Sequence, residues 1–132
     1  MRPLPPLLEQ HFRAPHGARP APQGALTGRA ENAACGDELE VWLELHAQHI
    51  DHAGFAARGC SSAIALASLV CERLEGSALG ELELHLARWR AEFAALLPPQ
   101  RRHALDLVER ALASALAQAR ERSHPLLLPR DE

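Results

Sequence analysis

Few residues in this chain can do chemistry, and Cys35 stands in the most telling company. It lies in "AENAACGDELEVWLEL" (residues 30–45), beside Gly36 and Asp37 and just before a strictly alternating apolar run. A Gly-Asp turn needs no cysteine, whereas a thiol and a carboxylate two residues apart are the donor types of a metal site. Cys60 follows Gly59 at the entrance to an apolar helix. Unpaired backbone N–H groups and the positive end of the helix dipole lower a thiol's pKa there, so ready deprotonation is expected. His103, flanked by Arg101 and Arg102, offers an imidazole near the start of the last helix. Taken singly, Cys60 also reads as a small buried hydrophobe, Cys35 as a loop residue and His103 as a surface histidine. Asp37 alone is an ordinary turn residue. They become a donor set only if the fold brings them together.

Geometry already removes the third thiol. Cys71 lies 11 residues after Cys60 on the same helix, about 16 Å further along at the α-helical rise. It cannot share an ion with Cys60 and is expected to be a packed core cysteine. His46, His49 and His52 read as solvated residues at a hairpin tip rather than as ligands.

The elements that must position these residues follow from periodicity. In "ELEVWLEL" (38–45), Leu39, Val41, Leu43 and Leu45 face one way, and Glu38, Glu40, Trp42 and Glu44 face the other, which is a strand with one buried and one wet face. "HAQH" is a turn, and residues 50–59 return as the antiparallel partner. Residues 25–30 form a short edge strand. Upstream, residues 4–12 form a proline-started helix contacting the core through Leu7, Leu8 and Phe12, and residues 13–24 are a Pro/Gly-rich connector. "CSSAIALASLVCERLEG" (60–76) is apolar on nearly every face until Glu72, hence a central buried helix stopped by Gly76. A second helix runs from Ser77 to about Leu96, with Leu79, Leu82, Leu86, Trp89 and Phe93 inward. "LPP" breaks it, and a last helix spans 99–121 on Leu105, Val108, Leu112 and Leu116. Residues 123–132 are expected to be a frayed tail. This order predicts an α+β domain, a small antiparallel sheet of about three strands packed against helices.

Composition bounds the function. With 132 residues, 47% of them hydrophobic and 23% charged, the chain is expected to form one domain, residues 1–132, with a core that needs no disulfide. The net charge of −3, carried without a single lysine, gives no general affinity for nucleic acid or anionic membranes. No apolar run approaches the roughly 20 residues of a membrane span. The start has no continuous apolar segment or small-residue cleavage site, so no signal peptide is expected. Three cysteines cannot all pair with one another, which suits a reducing, cytoplasmic setting where thiols serve metals or sulfur chemistry.

Three blocks, "GRAENAACGD" (28–37), "GCSSAIALASLV" (59–70) and "LPPQRRHALDLVERAL" (97–112), resemble the signature blocks of the IscU/NifU-type iron–sulfur cluster assembly scaffold family, in its order and near its spacing. The resemblance runs from about residue 7 to 120 and lacks the insertion of the SufU branch. It implies an IscU/SufE-like fold with one site at one end. Carried over by position, Cys35, Asp37 and Cys60 match the family's first two thiol ligands and its aspartate. His103 matches the histidine before the third cysteine, where this chain has Ala104. The donor set implied for cofactor or metal is therefore Cys35, Asp37, Cys60 and His103. Zinc takes such a tetrahedral set readily, and mixed Cys/His ligation of a transient [2Fe–2S] cluster has precedent in Rieske centres.

The function so implied is a non-catalytic scaffold that receives sulfur from a cysteine desulfurase, holds a transient cluster and passes it to recipient apo-proteins. The alternative is a zinc-binding sulfur acceptor or regulator of the desulfurase. The resemblance also implies an Hsp70-type chaperone reading Leu97-Pro98-Pro99, although the family's "LPPVK" reads "LPPQR" here. "APHGAR" (14–19) stands where the family has "NPRNVG".

Overall fold

A computed structural model describes residues 4–123. The expected tail lies outside them, except for Ser123, which closes the last helix. The elements run α1 (Pro6–Arg13), β1 (Leu26–Asn32), β2 (Asp37–His46), β3 (His49–Arg58), α2 (Ser61–Leu74), α3 (Leu82–Leu96) and α4 (His103–Ser123). Short 3-10 turns at Leu79–Glu81 and Pro99–Arg101 precede the last two helices. The α+β expectation is met: one antiparallel sheet, ordered β1-β2-β3, packs against helices.

β2 is the spine of the sheet, pairing with β1 from Leu26↔Leu43 to Asn32↔Asp37 and with β3 from Glu38↔Arg58 to His46↔His49. The β2–β3 turn is two residues long, and both Ala47 (φ 51°) and Gln48 (φ 68°) adopt the left-handed conformation that matches strand twist. Leu39, Val41 and Leu43 are buried as the alternation requires.

Trp42 departs from the expected wet face, being 0% exposed. The 13–24 connector folds back over that side of the sheet. The Trp42 indole N–H donates to the Arg19 carbonyl at 2.9 Å, and the Arg19 guanidinium lies 5.0 Å from the ring centroid. Opposite Trp42 in the register, Gly54 leaves room for the indole, since a Cβ there would collide with the ring. The connector is thus a cover, also tied down by the Phe55 N–H donating to the Gly17 carbonyl at 2.9 Å.

α2 is the central helix, buried through Ser62, Ala63 and most positions from Ala65 to Leu74, as its all-round apolar composition requires. It ends at Leu74, and Gly76 (φ 87°) turns the chain away. α1 rests on it through Leu8, which is fully buried, while Phe12 points outward. Ser68 on α2 accepts the His16 N–H at 2.7 Å and meets His11 Nδ1 at 2.7 Å. α3 starts later than Ser77, after a 3-10 turn, and buries only Leu82 and Phe93 fully. It is held by the bidentate Arg73–Glu92 pair (2.7 and 2.8 Å) and by Arg90–Glu109.

α4 lies across β1 and β2. Its buried stripe is Ala104, Leu107, Val108, Ala111, Leu112, Ala115, Leu116 and Ala119, with Leu105 only partly covered. The alanines let the helix approach the strand so closely that a Cβ on Gly28 would overlap Ala111 and Ala115 backbone atoms. That contact carries the first turn of α4, and His103 with it, to the end of the sheet where the β1–β2 loop emerges.

Candidate metal centre

The β1–β2 connection is four residues long, from Ala33 to Gly36. Asn32 organises it: its carbonyl accepts the Cys35 N–H (3.2 Å) and the Gly36 N–H (2.8 Å), and its side-chain oxygen accepts the Ala34 N–H (3.1 Å). Gly36 takes φ 78°, where a side chain would strain the turn. Cys35 is left exposed at the loop tip, and Asp37 begins β2 as a buried carboxylate.

The three segments converge. Cys35 Sγ, an Asp37 carboxylate oxygen and a His103 ring nitrogen all lie within 4.8 Å of one another. His103 Nε2 is 3.6 Å from Asp37 Oδ2 and 3.5 Å from Cys60 Sγ. Cys60 is the N-cap residue of α2, half-buried, and it reaches the group through His103 and Asp37. Cys35, Asp37 and His103 thus form one group, and Cys60 adjoins it through His103 and Asp37, while Cys71 is buried in the core with its thiol pKa pushed up to about 12 by burial.

The electrostatics correct one expectation. The Cys60 thiol has its pKa raised, not lowered, in the metal-free chain. Burial is the main cause, and the Asp37 carboxylate adds to it. The N–H groups of Ala63 and Ser62 act in the lowering direction but do not prevail. The helix N-terminus is present as foreseen; burial of the thiol, with the Asp37 carboxylate added to it, outweighs it.

Asp37 Oδ2 is buried and has no hydrogen-bond partner among the described residues. Leaving a buried acceptor unmade costs about 1–3 kcal/mol, so the arrangement is not one that packing alone would favour. A cation held between this oxygen, the imidazole and the thiolates would supply the missing partner. Sulfur, nitrogen and oxygen donors in this combination suit zinc or iron.

Two supporting residues give no donor signal in the sequence. Asn32 reads as an ordinary turn former. Gly59 looks like a helix entrance, yet a Cβ there would stand 2.7 Å from both Cγ and Oδ1 of Asp37. Gly59 is the floor on which the carboxylate rests. Ala104, beside His103, is 0% exposed and belongs to the core.

Known proteins share both sequence and fold with this chain. It is 37% identical over 91 residues to an iron–sulfur cluster assembly scaffold protein IscU of Azotobacter vinelandii, covering 68% of this chain and 70% of that one. The IscU of Escherichia coli (strain K12) is 32% identical over 111 residues, covering 77% of this chain and 86% of the relative. A NifU-like protein (N-terminal) from Brucella abortus superposes with a TM-score of 0.69 at 14% identity, covering 89% and 94% of the two chains, which supports the fold. The description "NifU-like N terminal domain" matches residues 8–125, nearly the full chain, and the protein belongs to that family.

Proposed function

We propose that this chain is an iron–sulfur cluster assembly scaffold whose cargo, a nascent cluster, is held by Cys35, Asp37, Cys60 and His103. The observation that carries this reading is the buried, unpartnered Asp37 Oδ2, set among a thiol and an imidazole from other segments. The thiolates of Cys35 and Cys60 are the strong iron donors. His103 donates a ring nitrogen in its neutral form. The Asp37 oxygen is a harder, weaker partner for iron–sulfur units, which keeps the cargo exchangeable. Cargo is received and handed on, so the cycle needs binding and release rather than turnover of a substrate.

Sulfur comes from a cysteine desulfurase, and the cluster leaves for recipient apo-proteins in the cytoplasm. Among the described residues, no helix is long and apolar enough to cross a membrane. An Hsp70-type chaperone reading Leu97-Pro98-Pro99 would need local opening, because Leu97 is 2% exposed.

A zinc-binding sulfur acceptor or regulator is the second reading, favoured by Ala104, which leaves two sulfurs, one nitrogen and one oxygen as a set that zinc accepts. Anaerobic reconstitution with ferrous iron and sulfide separates the two. The scaffold reading expects visible absorption with bound iron and sulfide, abolished by Cys35→Ser or Cys60→Ser and kept by Cys71→Ser. A colourless protein that instead retains stoichiometric zinc supports the regulator.

A further inference from the structure

Arg101 is the one buried arginine among the described residues, at 8% exposed. It ends the 3-10 turn between α3 and α4, where its backbone N–H donates to the Pro98 carbonyl at 2.9 Å. Its Nη1 donates to Ser62 Oγ at 2.6 Å. Ser62 is itself fully buried, in the first turn of α2, two residues after Cys60. His103 follows two residues after Arg101. The segments that carry Cys60 and His103 are therefore joined both at the site and inside the core. One link is the Cys60 Sγ to His103 Nε2 approach of 3.5 Å at the site; the other is the guanidinium–hydroxyl bond inside the core.

A buried cation is an expensive way to join two helix ends, since its desolvation costs several kcal/mol before any partner is counted. An apolar side chain would fill that volume without the penalty. What the guanidinium adds is directionality: a planar, permanently charged fork fixes distance and angle to its acceptor. Residues that orient metal donors commonly do so through such hydrogen bonds. The need is greater here because Ala104 leaves the third segment only one donor, His103, and its placement decides whether the set closes.

We infer that Arg101 is a positioning residue for the metal centre: by holding Ser62 it sets the span between the Cys60 sulfur and the His103 imidazole. This rests on the proposed role of those two side chains as donors. It makes Arg101 part of the site's construction, although it reaches the cargo only through other residues.

Cobalt(II), bound to the full chain under anaerobic conditions, is the probe, because its visible bands report donor geometry and its near-ultraviolet bands report thiolate ligation. Ser62→Ala and Arg101→Met are each expected to weaken cobalt binding at least about tenfold and to alter the visible bands. Arg101→Lys, which keeps a donor towards Ser62, should recover part of the loss. Arg110→Ala is the control. It removes an exposed link from α4 to the Glu31 carbonyl (3.0 Å) and should leave both readouts unchanged. If Arg101→Met does not fold, Ser62→Ala decides, since it deletes only a hydroxyl. Variants with lowered melting temperature but the parent spectrum and affinity overturn the inference. A parent spectrum that Cys60→Ser abolishes and Ser62→Ala leaves intact overturns the inference alone. A parent spectrum indifferent to Cys60→Ser overturns the donor assignment and this inference with it.

Discussion

Asp37 Oδ2 faces His103 Nε2 at 3.6 Å, too far for a hydrogen bond and close enough for both to hold one ion. The pair is built from the first residue of β2 and the first residue of α4, and Gly59 from a third segment supports the carboxylate. The buried oxygen has no hydrogen-bond partner among the described residues, a condition that disfavours the carboxylate there unless a cation is bound.

Asp37→Ala is therefore expected to stabilise the metal-free protein by about 1–3 kcal/mol while weakening metal binding. Urea unfolding of the metal-free chain, set beside a zinc titration, measures both. A variant less stable than the parent would show that the carboxylate is satisfied in solution.

Gly59→Ala should do the opposite for stability and the same for metal. Its new Cβ would press on Asp37 Cγ and Oδ1 at 2.7 Å, so the carboxylate must move. The expected result is a lower unfolding midpoint together with a loss of zinc affinity of about tenfold or more. Unchanged zinc binding would mean that the carboxylate is not a ligand.

The three thiols should alkylate in a fixed order at neutral pH. Cys35 is exposed and reacts first. The raised pKa of Cys60, from burial and then Asp37, shrinks its thiolate fraction at neutral pH, so its rate is slower and climbs as the pH is raised. Cys71, buried and pushed up to about 12, reacts last. Timed iodoacetamide labelling read by mass spectrometry gives the order, and zinc should protect Cys35 and Cys60 without changing Cys71.

Ala104→Cys tests what the missing sulfur does. The side chain at 104 is fully buried next to His103, so the added atom costs about 1 kcal/mol or more in packing. A thiolate binds iron more strongly than a carboxylate does, and the reconstituted cluster should persist longer than in the parent. Cluster half-life under air, parent against variant, is the measurement; a shorter half-life would exclude position 104 from the site.

Trp42→Ala should cost about 3–5 kcal/mol, the usual range for a fully buried aromatic. The loss comes from releasing the 13–24 connector, which is anchored by the indole N–H and the Arg19 guanidinium. Equilibrium unfolding measures it, and a cost under about 1 kcal/mol would return Trp42 to the wet face that simple alternation assigns to it.

Most of the architecture is legible in the chain because it is encoded over a few residues at a time. The period-2 run around Val41 can only be a half-buried strand, and the continuous apolar surface of residues 61–71 can only be a central helix. α2 ends at Leu74, and Gly76 takes the positive φ of the turn closed by the Ser77 N–H donating to the Leu74 carbonyl. The boundaries that moved are local too: the 3-10 turn at Leu79–Glu81 delays α3, and β1 runs to Asn32 because its partner register extends to Asp37. The candidate donors are legible by type and by block resemblance, and helix rise alone separates Cys71 from Cys60.

The tertiary structure decided what depends on neighbours from far along the chain. Alternation assigns Trp42 to solvent, and only the fold-back of the connector buries it. A helix N-terminus argues for an acidic Cys60, and burial in the fold, reinforced by Asp37, reverses the sign. Gly59 becomes a support, and Arg101 a link to Ser62, once three separate segments share one end of the sheet. Propensity and periodicity act within a turn or two of chain, whereas burial and charge act across space. Local sequence thus encodes the elements and offers candidate donors by residue type, and the packing of α4 on Gly28 and of α2 against the sheet brings their segments to one end.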